Sequence, residues 1–299
     1  MTFLSEITAI QNIIYIFSSI LFITGIKMLG KEDTAVKGNF FSALAMFIAV
    51  SITLIDVVNP IVLLSGIALG AVIGSFIALK VKMTSIPEMV ALFNGFGGLA
   101  TFLIAWSEFN SVPDNLFQHV LIMMTLYIGG VTFTGSLVAY AKLSEKIKIA
   151  KTSIVTKIFT TIFYISLPFL LYSTFVTPFI VTSFEFFTVL LVLTLLGGIG
   201  FVLPIGGGDM PVVISLLNSF SGIAAAFAGL LLLNNVLIVA GSLVGASGLI
   251  LTVIMAKAMN RSISNILFVG YASSSANSSS SEEQGEVSQI SVSDAYLIL

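Results

Sequence analysis

Nine apolar runs, separated by short polar stretches, account for most of the chain: about 7–29, 36–57, 60–79, 86–107, 116–140, 154–175, 184–203, 210–233 and 236–256. Each approaches the roughly 20 residues that cross about 30 Å of hydrocarbon at a helical rise of about 1.5 Å per residue. A backbone surrounded by lipid must satisfy its own hydrogen bonds, so runs of this length predict membrane-spanning helices. The seventh, centred on Leu190 to Leu196, is the plainest. The sixth is crowded by Lys157, Pro168 and Pro178, residues that work against an uninterrupted span.

The basic residues give the runs a direction. Lys27, Lys31 and Lys37 bracket the first loop, Lys80 and Lys82 the third, and Lys142, Lys146, Lys148, Lys151 and Lys157 the fifth, while Lys257 and Arg261 follow the last run. These are all twelve positive charges, and the alternate loops hold only acids or nothing (Asp56, Glu108, Asp114, Glu185). Because cytoplasmic loops collect Lys and Arg, nine spans place the N-terminus outside and the C-terminus inside. The first run lacks a basic leader and a small-residue cleavage site, so it reads as a span and not as a signal peptide.

Composition leads to the same place. Hydrophobic residues make up 57% of the chain and charged ones 9%, with a mean hydropathy of +1.12, far from a water-soluble domain. The expected class is an all-α polytopic membrane protein embedded in lipid, and nothing in the charge pattern suggests nucleic acid. With no cysteine, disulfides, thiolate metal sites and cysteine nucleophiles are excluded together. Neither an H-E-x-x-H, a Walker loop, a complete dinucleotide fingerprint nor a Ser/His/Asp arrangement is present, so no catalytic, metal or cofactor-binding residues are assigned to this chain.

A repeat gives the helices internal structure. Pro87 precedes Asn94-Gly95-Phe96-Gly97-Gly98-Leu99-Ala100, and at the same spacing Pro211 precedes Asn218-Ser219-Phe220-Ser221-Gly222-Ile223-Ala224. The following runs share a weaker likeness, Gly129-Gly130-Val131-Thr132-Phe133-Thr134-Gly135-Ser136 against Gly241-Ser242-Leu243-Val244-Gly245-Ala246-Ser247-Gly248. Runs four and eight point the same way, so this is a parallel duplication of a helical hairpin, and it predicts one crevice shared by both copies. In run three, Gly66, Gly70 and Gly74 at four-residue spacing suggest a close-packing face.

Asn94 and Asn218 should lie about 12 Å deep, where an amide needs partners. Two readings stand: inter-helix glue, or lining for a hydrated path, to which Ser136 would add a hydroxyl. His119, the only histidine, is the only side chain whose ordinary titration lies near neutrality. It reads either as an amphipathic ring at the outer interface or as a proton acceptor at the external mouth. Gly206-Gly207-Gly208-Asp209-Met210-Pro211 reads as a turn with Asp209 as cap and Pro211 in the first helical turn, or as a docking surface for a soluble domain, with Asp209 and Arg261 as polar contacts.

Organisation changes near Gly270. Residues 1–265 form the expected transmembrane domain, 266–289 a Ser/Glu-rich tether, and 290–299 a new apolar pattern that stops at once, as the truncated start of a soluble domain would. A fragment or a split subunit is the expectation.

Several motifs are specific enough to suggest a family. Lys82-Met83-Thr84 through Pro87-Glu88-Met89-Val90-Ala91, the run Val131-Thr132-Phe133-Thr134-Gly135-Ser136, Gly207 through Asp209-Met210-Pro211-Val212-Val213 to Leu217-Asn218-Ser219, and Lys257-Ala258-Met259-Asn260-Arg261-Ser262 resemble the beta subunit of proton-translocating NAD(P) transhydrogenase, in order, over essentially the whole chain. The resemblance implies nine membrane helices before a tethered Rossmann-like NADP(H) domain, whose opening the last ten residues resemble. It implies an alpha subunit carrying the NAD(H) domain, a dimer of alpha-beta units, and hydride transfer from NADH to NADP carried out beyond this chain, which alone would be inactive. It places Asn218 and Ser136 on the proton path and Asp209 and Arg261 at the inner face facing the NADP domain. Where many members carry a proton-binding histidine, this chain has Asn94. Three substitutes are open: His119, water moving past the two amides, or weak coupling. The implied location is a bacterial inner membrane, with the mitochondrial inner membrane as alternative. Outside this family, a secondary transporter with duplicated hairpins or an inactive remnant would also fit the pattern.

Overall fold

A computed structural model describes residues 2–56, 60–109, 115–147, 153–175 and 184–267. The tether beyond 267, the segment 290–299, and Asp114, Lys148, Lys151 and Pro178 lie outside the described residues. Every regular element among those described is helical: α1 (Thr2–Leu29), α2 (Ala35–Thr53), α3 (Pro60–Lys80), α4 (Ile86–Phe109), α5 (Leu116–Leu143), α6 (Ile154–Phe175), α7 (Phe184–Val202), α8 (Met210–Leu231), α9 (Asn235–Ala258) and the short α10 (Ile263–Leu267). Eight of these are long and apolar enough to cross a membrane, and α7, apolar over Phe187–Val202, is shorter. α6 is continuous across Pro168.

α5 is the axis of the bundle. It packs against α4, α7 and α8, while α9 closes on α8, α6 on α7, and the α1–α2 hairpin leans on α9. The residue pattern explains why α5 is central: Gly129, Gly130 and Gly135 let three neighbours approach its backbone. A Cβ on Gly130 would meet Thr194 Cγ2 at 2.5 Å, and one on Gly135 would meet Leu217 and Val202 at 3.2 Å. Without a hydrophobic driving force between helices in lipid, small residues that permit such approach supply the van der Waals contact that holds a bundle together.

The duplication is visible in the same contacts. Gly98 of α4 and Gly129 of α5 meet face to face, and a Cβ on Gly129 would lie 3.0 Å from the Gly98 carbonyl. In the second hairpin, a Cβ on Gly241 of α9 would lie 2.8 Å from the Gly222 carbonyl of α8. The second helix of each hairpin is also capped alike: Asn115 Oδ1 accepts from Gln118 N at 2.9 Å, and Asn234 Oδ1 from Leu237 N at 3.0 Å.

Three helices stop in the same way. After α5, α8 and α9 the chain turns through left-handed Glu145 (φ 53°), Leu233 (φ 54°) and Asn260 (φ 52°). In each, the next N–H reaches back five residues, as Arg261 N to Ala256 O at 2.9 Å and Asn234 N to Gly229 O at 2.8 Å, the geometry of a Schellman stop. The core lies in two clusters. One, around Val202, Met210, Val213 and Leu217, includes Ile266, so α10 is anchored to the bundle; the other, around Phe102, Ile122, Met123, Leu126 and Phe187, fills the opposite end of α5.

α3 departs from expectation. It buries none of its residues, and a Cβ at Gly66, Gly70 or Gly74 would meet nothing within 4 Å. Its small-residue face meets nothing among the described residues, because the α4–α5–α8–α9 core already closes without it.

Candidate functional site: an amide-lined groove between α4 and α8

Asn94 sits about a third of the way along α4, one residue before Gly95, whose missing side chain lets α4 approach Ser136 on α5; a Cβ there would be 3.2 Å from Ser136 Cβ. The amide uses both ends. Its Nδ2 donates to Ser136 Oγ at 2.9 Å, and its Oδ1 accepts from Ser221 Oγ at 2.9 Å. One carboxamide thereby ties α4 to α5 and to α8. Ser136 is fully buried, whereas Asn94, Asn218 and Ser221 are half-buried.

Asn218 occupies the matching place on α8 but is held differently. Its backbone carbonyl accepts from Ser221 Oγ at 2.8 Å, and its side chain faces the same groove as Asn94. Val90, Phe93, Asn94, Gly97, Asn218 and Ser221 line a groove of about 370 Å³, room for several waters. Its polar groups are two amides and a hydroxyl, each able to donate and accept, and none is an acid or base. The groove can orient water; it cannot itself store a proton.

Asp209 and Arg261 meet at the end of the bundle where α5, α7 and α9 finish and α8 begins. Arg261 Nε lies 3.4 Å from Asp209 Oδ1, with the Asp209 side chain 9% exposed and that of Arg261 57%. The Schellman stop of α9 delivers Arg261 to this position. Asp209 is the residue before α8, yet its side chain caps nothing. The backbone there is already helical, in a tight turn over Gly207–Asp209, and a side-chain cap needs an extended one. The carboxylate is left for the arginine. Pro211 stands in the first turn of α8 as its fixed φ favours.

His119 is at the far end of α5. Its exposure is 3%, and neither ring nitrogen has a protein partner. It is therefore packed inside the bundle, and it stands about 25 Å along the helix from Ser136 at 1.5 Å per residue. The groove and His119 do not form one site.

Two residues join the sites that sequence reasoning passed over. Ser221, one helical turn beyond Asn218, bonds Asn94; the three-residue spacing that puts both on one face was the available signal. Lys142, read only as a loop charge, sends its Nζ to the carbonyls of Val202 (3.4 Å), Ile205 (2.7 Å) and Leu203. No sequence pattern announces that contact, because it joins elements sixty positions apart.

Comparison with known proteins places this geometry in context. The family profile described as NAD(P) transhydrogenase beta subunit matches residues 11–299. Two proteins named NAD(P) transhydrogenase subunit beta, both from Rhodospirillum rubrum and one from a specified strain, are each 36% identical over 273 residues, covering 87% of this chain. The chain spans 58% of the length of each. Apolar helices and kinship together fit an integral protein of a bacterial inner membrane. With a match that runs across nearly all of its length, the chain belongs to the NAD(P) transhydrogenase beta subunit family.

Proposed function

We propose that this chain is the membrane-embedded, proton-conducting part of a transhydrogenase that couples proton translocation to hydride transfer between NADH and NADP. One observation carries the reading: an amide at membrane depth bridges three helices at the wall of a groove it shares with its duplicate. In this reading, which the kinship supports, NADP and NAD are bound by an NADP(H) domain following residue 289 and by an alpha subunit, in a dimer of alpha-beta units. The N-terminus is outside and Asp209 and Arg261 face the cytoplasmic NADP(H) domain.

In this reading water carries the proton past Asn94 and Asn218. Asn94, fixed by Ser136 and Ser221, presents a set direction of hydrogen bonding, while Asn218 takes its hydrogen bonds from water. If the nucleotide state of the soluble domain shifts α8, the Ser221–Asn94 bond is the first to change, and with it the polarity of the wall. Proteoliposomes of the whole assembly test this. Asn94→Leu is expected to lower proton uptake per hydride transferred by about tenfold, since an apolar wall cannot orient a water chain. An unaltered ratio in an intact assembly would remove the groove from the mechanism.

A further inference from the structure

The Lys142 ammonium has three protons, and the turn after α7 offers three carbonyls to receive them, those of Val202, Leu203 and Ile205. This is the site where a cation is favoured: the last carbonyls of a helix have no intrahelical donor, and the helix dipole leaves them partially negative. Lys142 also lies in the last turn of α5, so one side chain caps the end of a neighbouring helix while belonging to the helix that carries Ser136. Six residues, about 9 Å, separate the two on the same rigid rod.

Immediately after the gripped carbonyls come Gly206, Gly207 and Gly208. None of them has a positive φ, and a Cβ on Gly207 or Gly208 would meet nothing within 4 Å. Neither conformation nor space requires glycine at those two positions in this arrangement. Their freedom is available to a second arrangement of the turn that ends at Asp209, the partner of Arg261.

We propose that Lys142 is a positioning residue, a latch by which movement of α5 is passed to the 203–209 turn and so to the Asp209–Arg261 pair. While the ammonium holds the three carbonyls, the turn follows α5; when it lets go, the glycines allow the turn to swing independently. The physical connection runs from the Asn94–Ser136 bond, along α5, through Lys142 to the turn, and across to the stop of α9. The latch deepens the proposed coupling and rests on that reading for its purpose, but its mechanics are tested without protons.

The chain has no cysteine, so a single Pro204→Cys, at a buried position inside the gripped turn, reports opening through its labelling rate with a water-soluble maleimide in the detergent-solubilised assembly. Lys142→Met is expected to raise that rate at least about fivefold and Lys142→Arg to leave it within about twofold, since the guanidinium keeps charge and donors. Ser136→Ala is expected to change the rate at least about twofold when Lys142 is present and not at all beside Lys142→Met, because the coupling runs through the latch. An equal effect of Ser136→Ala in both backgrounds, or no effect of Lys142→Met, would overturn the proposal. If Lys142→Met does not assemble, Lys142→Gln is labelled in its place with the same two outcomes. A latch that fails here leaves the Asn94→Leu proton result untouched, and the reverse holds equally.

Discussion

At Asn94 the amide is held from both sides, by a Ser136 hydroxyl that accepts and a Ser221 hydroxyl that donates, while the Asn218 amide faces the groove. The two positions are equivalent in the repeat and different in energetics. Asn94→Ala removes two inter-helix bonds and takes the amide donor from the buried Ser136 hydroxyl, while Ser221 keeps the Asn218 carbonyl, so it is expected to lower the unfolding free energy of the detergent-solubilised protein by about 0.5–2 kcal/mol. Asn218→Ala removes an amide at the wall of the groove and is expected to stay within about 0.5 kcal/mol. Thermal unfolding of the two single variants decides it; equal losses would mean that Asn218 is glue as well. The repeat could be seen in the sequence, but this asymmetry could not, because it depends on which hydroxyls the packed helices bring to each amide, and those come from distant positions. A second residue-scale effect sits at Leu233, a γ-branched side chain in the left-handed region (φ 54°) at the α8–α9 turn. Leu233→Gly relieves that conformation and is expected to stabilise by up to about 1 kcal/mol, read as a raised unfolding temperature; Asn260→Gly, starting from a residue that tolerates the same region, is expected to change little.

Among the elements, glycine separates two kinds of helix face. At Gly222 an added Cβ would lie 2.4 Å from the Gly245 backbone nitrogen. Backbone cannot turn aside as a side chain can, so Gly222→Ala must push α8 and α9 apart and is expected to cost more than about 2 kcal/mol or to prevent assembly. Gly66→Ala on α3 meets nothing inside the chain and is expected to leave the isolated chain's unfolding within about 0.5 kcal/mol. Loss at Gly66 that appears only in the complete assembly would mean that a partner covers α3. Both glycines stand in small-residue runs and look alike in sequence. Their difference belongs to tertiary placement: the spacing marks a face able to pack closely, and only the bundle determines whether anything arrives. Helix ends are similar. Pro211 and the asparagine caps Asn115 and Asn234 follow local rules, whereas Asp209, a good cap by residue type, is diverted by the already helical backbone before α8 and by Arg261, brought to it by a different helix.

Over the whole molecule, the periodicity of apolar runs gave the helices almost residue by residue, since length and hydropathy alone decide them, and the repeat gave the pairing of the two hairpins. Which helix is central was not readable, because α3 and α9 are more apolar than α5 and yet are less buried: over an 18-residue apolar stretch of each, 72% of α5 is buried against 22% for α9 and 0% for α3. In lipid, hydrophobicity measures contact with chains of hydrocarbon as much as contact with protein, so apolarity does not mark the central helix. Burial also sets how each helix moves. α5 is clamped by glycine contacts to three helices, holds the Asn94 bond at Ser136 in its last third and Lys142 in its last turn, and can open only if the bundle opens. α3 can leave without breaking a core contact. Hydrogen exchange on the detergent-solubilised protein is therefore expected to show α5 amides exchanging at least about tenfold more slowly than those of α3, with α8 close to α5. If α5 exchanged as fast as α3, the rigid rod through which the groove and the Asp209–Arg261 end are connected would not exist, and any coupling between them would have to run through α8 alone.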